Sequence, residues 1–318
     1  MTLYLIIAVV LFVLEQIYFR VAERCMIIDK PNERSSHSHP TIRGGGIIFI
    51  IGVALFSCLN GLAYPYLLIA MVLSGAVSFV DDIKSLPNWV RFVAHLVSGL
   101  LILHQLDLFY LAPLWIVLIT VLIIGVINAY NFMDGINGIT GFYSLVVILP
   151  LVFTEENPLM KELEVFALIS LIVFLFFNAR KRARCFAGDV GSVGIAILII
   201  FLLLERIFAT QNINYAGFLL LYGVDSVLTI IQRLYGKENI FRAHRKHLFQ
   251  IVSNEFKVPH LAVSIAYGAL QLCINLLILS LSPSPYVLLS MVGSAGFVYI
   301  AIKLSAYKYL GKRYPDGR

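Results

Sequence analysis

Charge is what this 318-residue chain has least of. Asp, Glu, Lys and Arg make up 13% of it, against 60% hydrophobic residues and a mean hydropathy of +0.89. A water-soluble domain carries about a quarter charged residues, so a fold with water on all sides is excluded and the bilayer is the natural solvent. Cysteine is also sparse. Cys25, Cys58, Cys185 and Cys273 have no metal or disulfide spacing, which argues against a cysteine zinc site and a disulfide framework. Reduced thiols are expected, two in membrane helices and two beside one membrane face. No basic residue precedes the apolar run Met1 to Phe19 and no small-residue cleavage site follows it. That pattern lacks a cleavable signal and reads as a first membrane helix. No internal repeat is evident. The net charge is positive, formally +6 with a pI of about 9.1. In so apolar a chain this points to membrane orientation and lipid contact, and no nucleic-acid partner is expected.

Apolar runs are what the chain has in abundance. A spanning helix takes about 20 apolar residues, and eleven runs come near that length: 1–19, 45–60, 62–80, 89–107, 110–127, 139–153, 163–178, 191–209, 215–232, 260–281 and 285–303. The second and sixth are short. The expectation is an all-α fold, a polytopic membrane helical bundle in one domain over 1–318. With the loop after the first helix placed inside, the inside segments and tail hold 22 of the 24 Lys and Arg residues, leaving only Lys161 and Arg206 outside. Such a bias sets the N-terminus outside and the C-terminus in the cytoplasm. The polar residues follow the same division. Asp29, Asn32, Arg34 and His37, then Asp81 and Asp82, Asn128 to Asn137, Asp189, and His244 and His247 all fall on inside segments, near 20–44, 81–91, 128–140, 179–190 and 233–258. Clustering on one face suggests a cytoplasmic active site at the membrane surface.

Asp81 and Asp82 end an apolar run, a placement that calls for a cation or basic partner unless it is simple helix-end solvation. Asp134 lies in Asn131-Phe-Met-Asp-Gly-Ile-Asn-Gly138 and Asp189 in Phe186-Ala-Gly-Asp-Val-Gly-Ser192. Small residues there allow close backbone approach to a ligand, and the helix after Asp189 would aim its N-terminus at the same place, which favours phosphate. Either segment alone could be a tight turn. Hard oxygen ligands without cysteine pairs indicate magnesium, which takes one or two carboxylates plus substrate phosphates. His244 and His247, read as a helix, share a face; with Arg242, Arg245 and Lys246 they form either a phosphate clamp or a basic lipid-facing loop. His37, His39, Arg43 and Gly44 to Gly46 make another phosphate-friendly segment. Arg180, Lys181, Arg182 and Arg184 read as topology determinants, and Glu15, His95, His104 and His260 as packed or interfacial residues.

Taken together, Asp29-Lys-Pro-Asn-Glu-Arg-Ser-Ser-His37, Arg43-Gly-Gly-Gly46, Asp81-Asp82, Asn128-Ala-Tyr-Asn-Phe-Met-Asp-Gly-Ile-Asn-Gly138, Phe186-Ala-Gly-Asp-Val-Gly-Ser192 and His244-Arg-Lys-His247 resemble the polyprenyl-phosphate N-acetylhexosamine-1-phosphate transferases of glycosyltransferase family 4. The resemblance implies transfer of a sugar-1-phosphate from a UDP-sugar to undecaprenyl phosphate with release of UMP. This would take place at the cytoplasmic face of a bacterial inner membrane, as the first membrane step of O-antigen, capsule or another surface glycan. It implies Asp189 as ligand of Mg2+, with Mn2+ as substitute. Asp81 and Asp82 would be catalytic with Asp189, the first of the pair as candidate base toward the lipid phosphate. Asn128, Asn131, Asp134 and Asn137 would belong to the nucleotide pocket, with Phe186 stacked on uracil. Arg43, His244 and His247 would lie on the diphosphate. The phospho-MurNAc-pentapeptide branch has three histidines where this chain has His244-Arg-Lys-His247, and an aspartate at Asn137. Both differences favour a simpler N-acetylhexosamine or a deoxy or amino derivative, with the pentapeptide substrate as the alternative. A homodimer is compatible with such a family and not demanded here. A secondary transporter is the remote rival, but its site would lie near the midplane between repeats.

Overall fold

The computed structural model describes residues 2–29, 31, 39–239 and 244–311. Asn32, Arg34, His37 and Arg242 lie outside the described residues. The described chain is helical almost throughout. Its helices are α1 (Thr2–Arg24), α2 (Ile47–Leu59), α3 (Pro65–Ile83), α4 (Asn88–Gln105), α5 (Pro113–Met133), α6 (Ile139–Thr154), α7 (Pro158–Asn178), α8 (Gly188–Thr210), α9 (Leu220–Tyr235), the single turn α10 (Leu248–Gln250), α11 (His260–Ser280) and α12 (Pro285–Tyr309). Each of the eleven apolar runs corresponds to one of these helices, except that 215–232 divides between a 3-10 segment, Ile213–Leu219, and α9. Seven segments are long and apolar enough to cross a membrane by themselves, while α2 and α6 are the two shorter apolar ones.

Local chemistry explains several starts. Proline opens α3, α5, α7 and α12, at the one helical position where its missing N–H costs nothing. Asn157 caps α7, its side chain accepting from the Leu159 and Met160 amides. α8 is apolar on every side and buried nearly all round, as such a helix must be. It is the central post, packed by α2, α3, α5 and α6. By contrast, α1, α5 and α12 turn rows of large apolar side chains outward, such as Leu5, Trp115 and Phe297, as lipid-facing helices do. Cys25, Cys58, Cys185 and Cys273 are all unpaired.

The two ends of the bundle differ. At one end Arg206 of α8 is 4% exposed. It ion-pairs with Glu155 at 2.6 Å and Glu164 at 3.4 Å and donates to the Thr154 carbonyl at 2.9 Å. At the other end a two-stranded hairpin, β1 (Ile28–Asp29) against β2 (Thr41–Ile42), meets the α7–α8 connection through an Ile42–Cys185 bridge. The candidate site residues gather at this second end.

Several boundaries differ from the sequence expectation, among them the end of α3 at Ile83, which puts Asp81 and Asp82 on its last turn. α5 runs on to Met133, so Asn128 and Asn131 sit on its last turns and not in a loop. α8 begins at Gly188, so Asp189 is in its first turn. Residues 244–246 are not helical, and His247 is the N-cap of α10. Asn131, Asp189 and His247 make tertiary contacts, which helical periodicity does not record.

Candidate active site

The floor of the site is a backbone seam. The Phe186 amide donates to the Ile42 carbonyl at 2.8 Å, Gly45 to Phe186 at 2.8 Å, and Gly46 to Ala187 at 3.1 Å. This lacing draws the start of α2 onto the start of α8. A Cβ on Gly46 would lie 2.3 Å from the Gly191 Cα, so only glycine allows the approach. Gly188 has φ +69° and a Cβ there would meet the Gly44 nitrogen at 2.8 Å.

Four carboxylates and two guanidinium groups stand on this floor. Arg43 reaches Asp29 at 2.8 Å and Asp82 at 3.2 Å, and also donates to the Asp82 carbonyl at 2.9 Å. Burial opposes the Arg43 charge, but Asp82 and Asp29 more than offset it and hold its pKa above the ordinary value. Tyr18 fixes the Arg43 carbonyl from below at 2.6 Å. The second oxygen of Asp82 accepts the Asp189 amide at 2.8 Å. A carboxylate at the end of α3 thus caps the start of α8, where the helix dipole favours negative charge. Asp81 accepts the Leu86 amide at 2.6 Å and Arg91 Nη1 at 3.0 Å. Arg91 Nη2 lies 3.6 Å from Asp189 Oδ2, which also accepts from the Asn131 amide at 3.2 Å. Asp189 Oδ1 accepts no hydrogen bond from the described residues.

Asp29, Asp81, Asp82 and Asp189 carry four formal negative charges and Arg43 and Arg91 two positive, a balance of −2. Excess charge of this sign among hard oxygens suits a divalent cation of the magnesium type. Among the described residues no three His, Cys, Asp or Glu side chains form a ready-made metal cage, as expected where substrate oxygens supply much of the coordination. The residues present therefore fit a cation shared with a phosphate ligand.

Asp134 follows α5 directly and accepts from Thr140 at 2.7 Å. Loss of water raises its pKa to about 7, against the pull of Thr140 and with the help of the Asp189 charge. Asn128 stands one turn below Asn131 and donates to its own helix at Ile124, 2.8 Å away. Asn137 is 7% exposed. Its amide donates to the Arg180 carbonyl at 2.9 Å and its carbonyl accepts Ser264 at 2.8 Å, so it joins the turn after α5 to α11 and to the α7–α8 connection. Phe186 is half-buried, its backbone forming the seam.

The histidines lie across the end of α5. The His247 ring is 4.9 Å from the His244 ring and 6.4 Å from that of Phe132, the neighbour of Asn131. His247 is 2% exposed and its Nδ1 is 3.1 Å from Asp225. His244 is the more open of the two. Burial, and then the neighbouring His247, Arg233, Lys303 and Lys246, lower its pKa to about 3, so it is neutral near pH 7. Lys246 is engaged by Glu238.

Sequence reasoning passed over Arg91, counted only as a topology residue, and Asp225. The signal for Arg91 was present, since a cation ten residues after Asp81 falls one turn into the next helix. Asp225 had no such signal.

The family model described as glycosyl transferase family 4 matches residues 64–206. An undecaprenyl-phosphate alpha-N-acetylglucosaminyl 1-phosphate transferase of Salmonella typhi is 27% identical over 259 residues, 73% of this chain and 71% of the relative. Its namesake in Escherichia coli (strain K12) is 24% identical over 275 residues, 78% of this chain and 75% of the relative. A phospho-N-acetylmuramoyl-pentapeptide-transferase of Dictyoglomus thermophilum is 26% identical over 216 residues, 62% of this chain and 70% of the relative.

Proposed function

We propose that this chain, whose residues 64–206 match the glycosyl transferase family 4 model, moves an N-acetylhexosamine-1-phosphate from a UDP-sugar onto undecaprenyl phosphate and releases UMP. The observation that carries this is the meeting of Asp82, Arg91, Asn131 and Asp189 at the first turn of α8. A net negative oxygen cluster beside cationic side chains and a helix N-terminus is what a metal-borne diphosphate needs. The simple-sugar donor and the undecaprenyl-phosphate acceptor follow the named relatives, with the pentapeptide transfer of another relative as the alternative.

In this reading Asp189 would hold Mg2+, or Mn2+ in its place. The bound ion supplies charge neutralisation on the diphosphate. Arg91 keeps Asp189 oriented, and Asp81 in turn orients Arg91. Asp82 holds the start of α8 and the Arg43 guanidinium, which faces the phosphates. His244 meets the diphosphate from the opposite side, with Asn131 and Asp134 on the nucleotide. The lipid phosphate oxygen attacks the sugar-bearing phosphorus and UMP departs. Both oxygens of Asp81 and of Asp82 are already engaged, which favours direct attack over an aspartyl-phosphate.

We place the site on the cytoplasmic face of a bacterial inner membrane, with the N-terminus outside and one transferase domain spanning 1–318, on the distribution of Lys and Arg. Asp189→Asn tests the assignment. It should leave a folded protein without turnover, and an active variant would overturn the metal role of Asp189.

A further inference from the structure

Asp225 lies in the middle of α9 and is 1% exposed. Five donors from four segments converge on its carboxylate. They are His247 Nδ1 at 3.1 Å, the Leu248 amide at 3.2 Å, Thr229 at 3.2 Å, Tyr267 of α11 at 3.0 Å and Tyr299 of α12 at 2.8 Å. Behind them Lys303, 1% exposed, donates to Thr229 at 2.9 Å and Tyr299 at 2.8 Å. Asp225 and Lys303 together are formally neutral, so the carboxylate needs no charge from His247 to be tolerated here.

The arrangement has a direction. With Nδ1 committed to Asp225, the remaining ring nitrogen of His247 is Nε2, which is buried and has no hydrogen-bond partner among the described residues. An unpartnered buried polar atom costs roughly 1–3 kcal/mol, and this one lies beside Phe132, one residue from the amide that holds Asp189. The Leu248 amide on the same carboxylate fixes the backbone that carries the ring.

We infer that Asp225 is a positioning residue for His247, holding the Nδ1 proton and thereby presenting Nε2 to a phosphate oxygen of the donor. The inference rests on the proposal that the 244–247 segment faces the donor diphosphate. With Nδ1–H on Asp225, the ring can donate to a phosphate only as imidazolium, which has N–H on both nitrogens. The second proton comes from solvent, and the diphosphate balances the added charge. Lys303 balances the carboxylate charge from a distance of one hydroxyl.

The test uses the full-length protein in detergent. In the 15N-histidine spectrum of the wild type, His247 should carry its proton on Nδ1 and gain one on Nε2 when UDP and Mg2+ are added. A wild-type ring protonated on Nε2 alone, or an Nε2 that stays bare with UDP bound, would overturn the inference whatever the variants do. In turnover, His247→Gln and Asp225→Asn should each lower kcat about 10- to 100-fold, the usual loss when a carboxylate behind an imidazole is removed. The double variant should be no worse than His247→Gln alone, and Asp225→Glu should recover part of the loss. A fully active His247→Gln would remove the donor-facing reading itself. An impaired His247→Gln beside a fully active Asp225→Asn would remove only the positioning role.

Discussion

Gly46→Ala is a change of one methyl group with a calculable consequence. Gly46 has φ −69°, so alanine brings no backbone strain. What it brings is a Cβ 2.3 Å from the Gly191 Cα and 3.0 Å from the Ala187 carbonyl. Carbon atoms rest about 3.5–4.0 Å apart, so the start of α2 must retreat from the start of α8 by about 1 Å. No rotamer can absorb the clash, because the atoms struck are backbone. Overpacking of this kind costs about 1–3 kcal/mol. The same displacement moves Asp189 against Arg43 and Asp82, and a shift of about 1 Å can cost about 100-fold in rate. The assay is thermal unfolding in detergent together with UMP release. Gly125→Ala, at a position with no neighbour within 4 Å, is the control and should match the wild type. Gly46→Ala with unchanged melting and turnover would refute the close approach of α2 and α8 as the basis of the site.

Arg91→Gln would take the site's formal charge from −2 to −3 and free Asp81 and Asp189 from their shared partner; kcat/KM should fall about 100-fold or more, read by UMP release. Arg206→Met would strand Glu155 and Glu164 at the opposite end, costing about 3–5 kcal/mol in a detergent melt. Protein that stays folded should turn over at the wild-type rate. Asp134, with its pKa raised to about 7 by loss of water, binds its proton more tightly folded than unfolded. Its contribution to stability is therefore full below about pH 4, falls as pH rises toward 7, and is gone above that. Melting temperature against pH should flatten across that window in Asp134→Asn.

The helices were legible because each is a long apolar run, and the carboxylate end because charge is so rare elsewhere that its clustering stands out. What escaped was set by distance in sequence. Asp225 and Lys303 are 78 residues apart and read separately as one helix acid and one tail lysine, yet Thr229 and Tyr299 join them in the interior. The 244–247 segment reads as a helix by spacing, but the Asp225 carboxylate holds it extended into the turn of α10. Asn137 reads as a substrate-binding residue, and the contacts it makes to Arg180 and Ser264 join segments far apart in sequence, which spacing does not record.

The most direct measurement is UMP release by the purified protein with undecaprenyl phosphate, Mg2+ and a panel of UDP-N-acetylhexosamines. The account predicts release with one of these donors, abolished by EDTA, restored by Mg2+ and reversed by excess UMP. Folded protein that binds UDP in the presence of Mg2+ but releases no UMP from any donor, UDP-MurNAc-pentapeptide included, would contradict it.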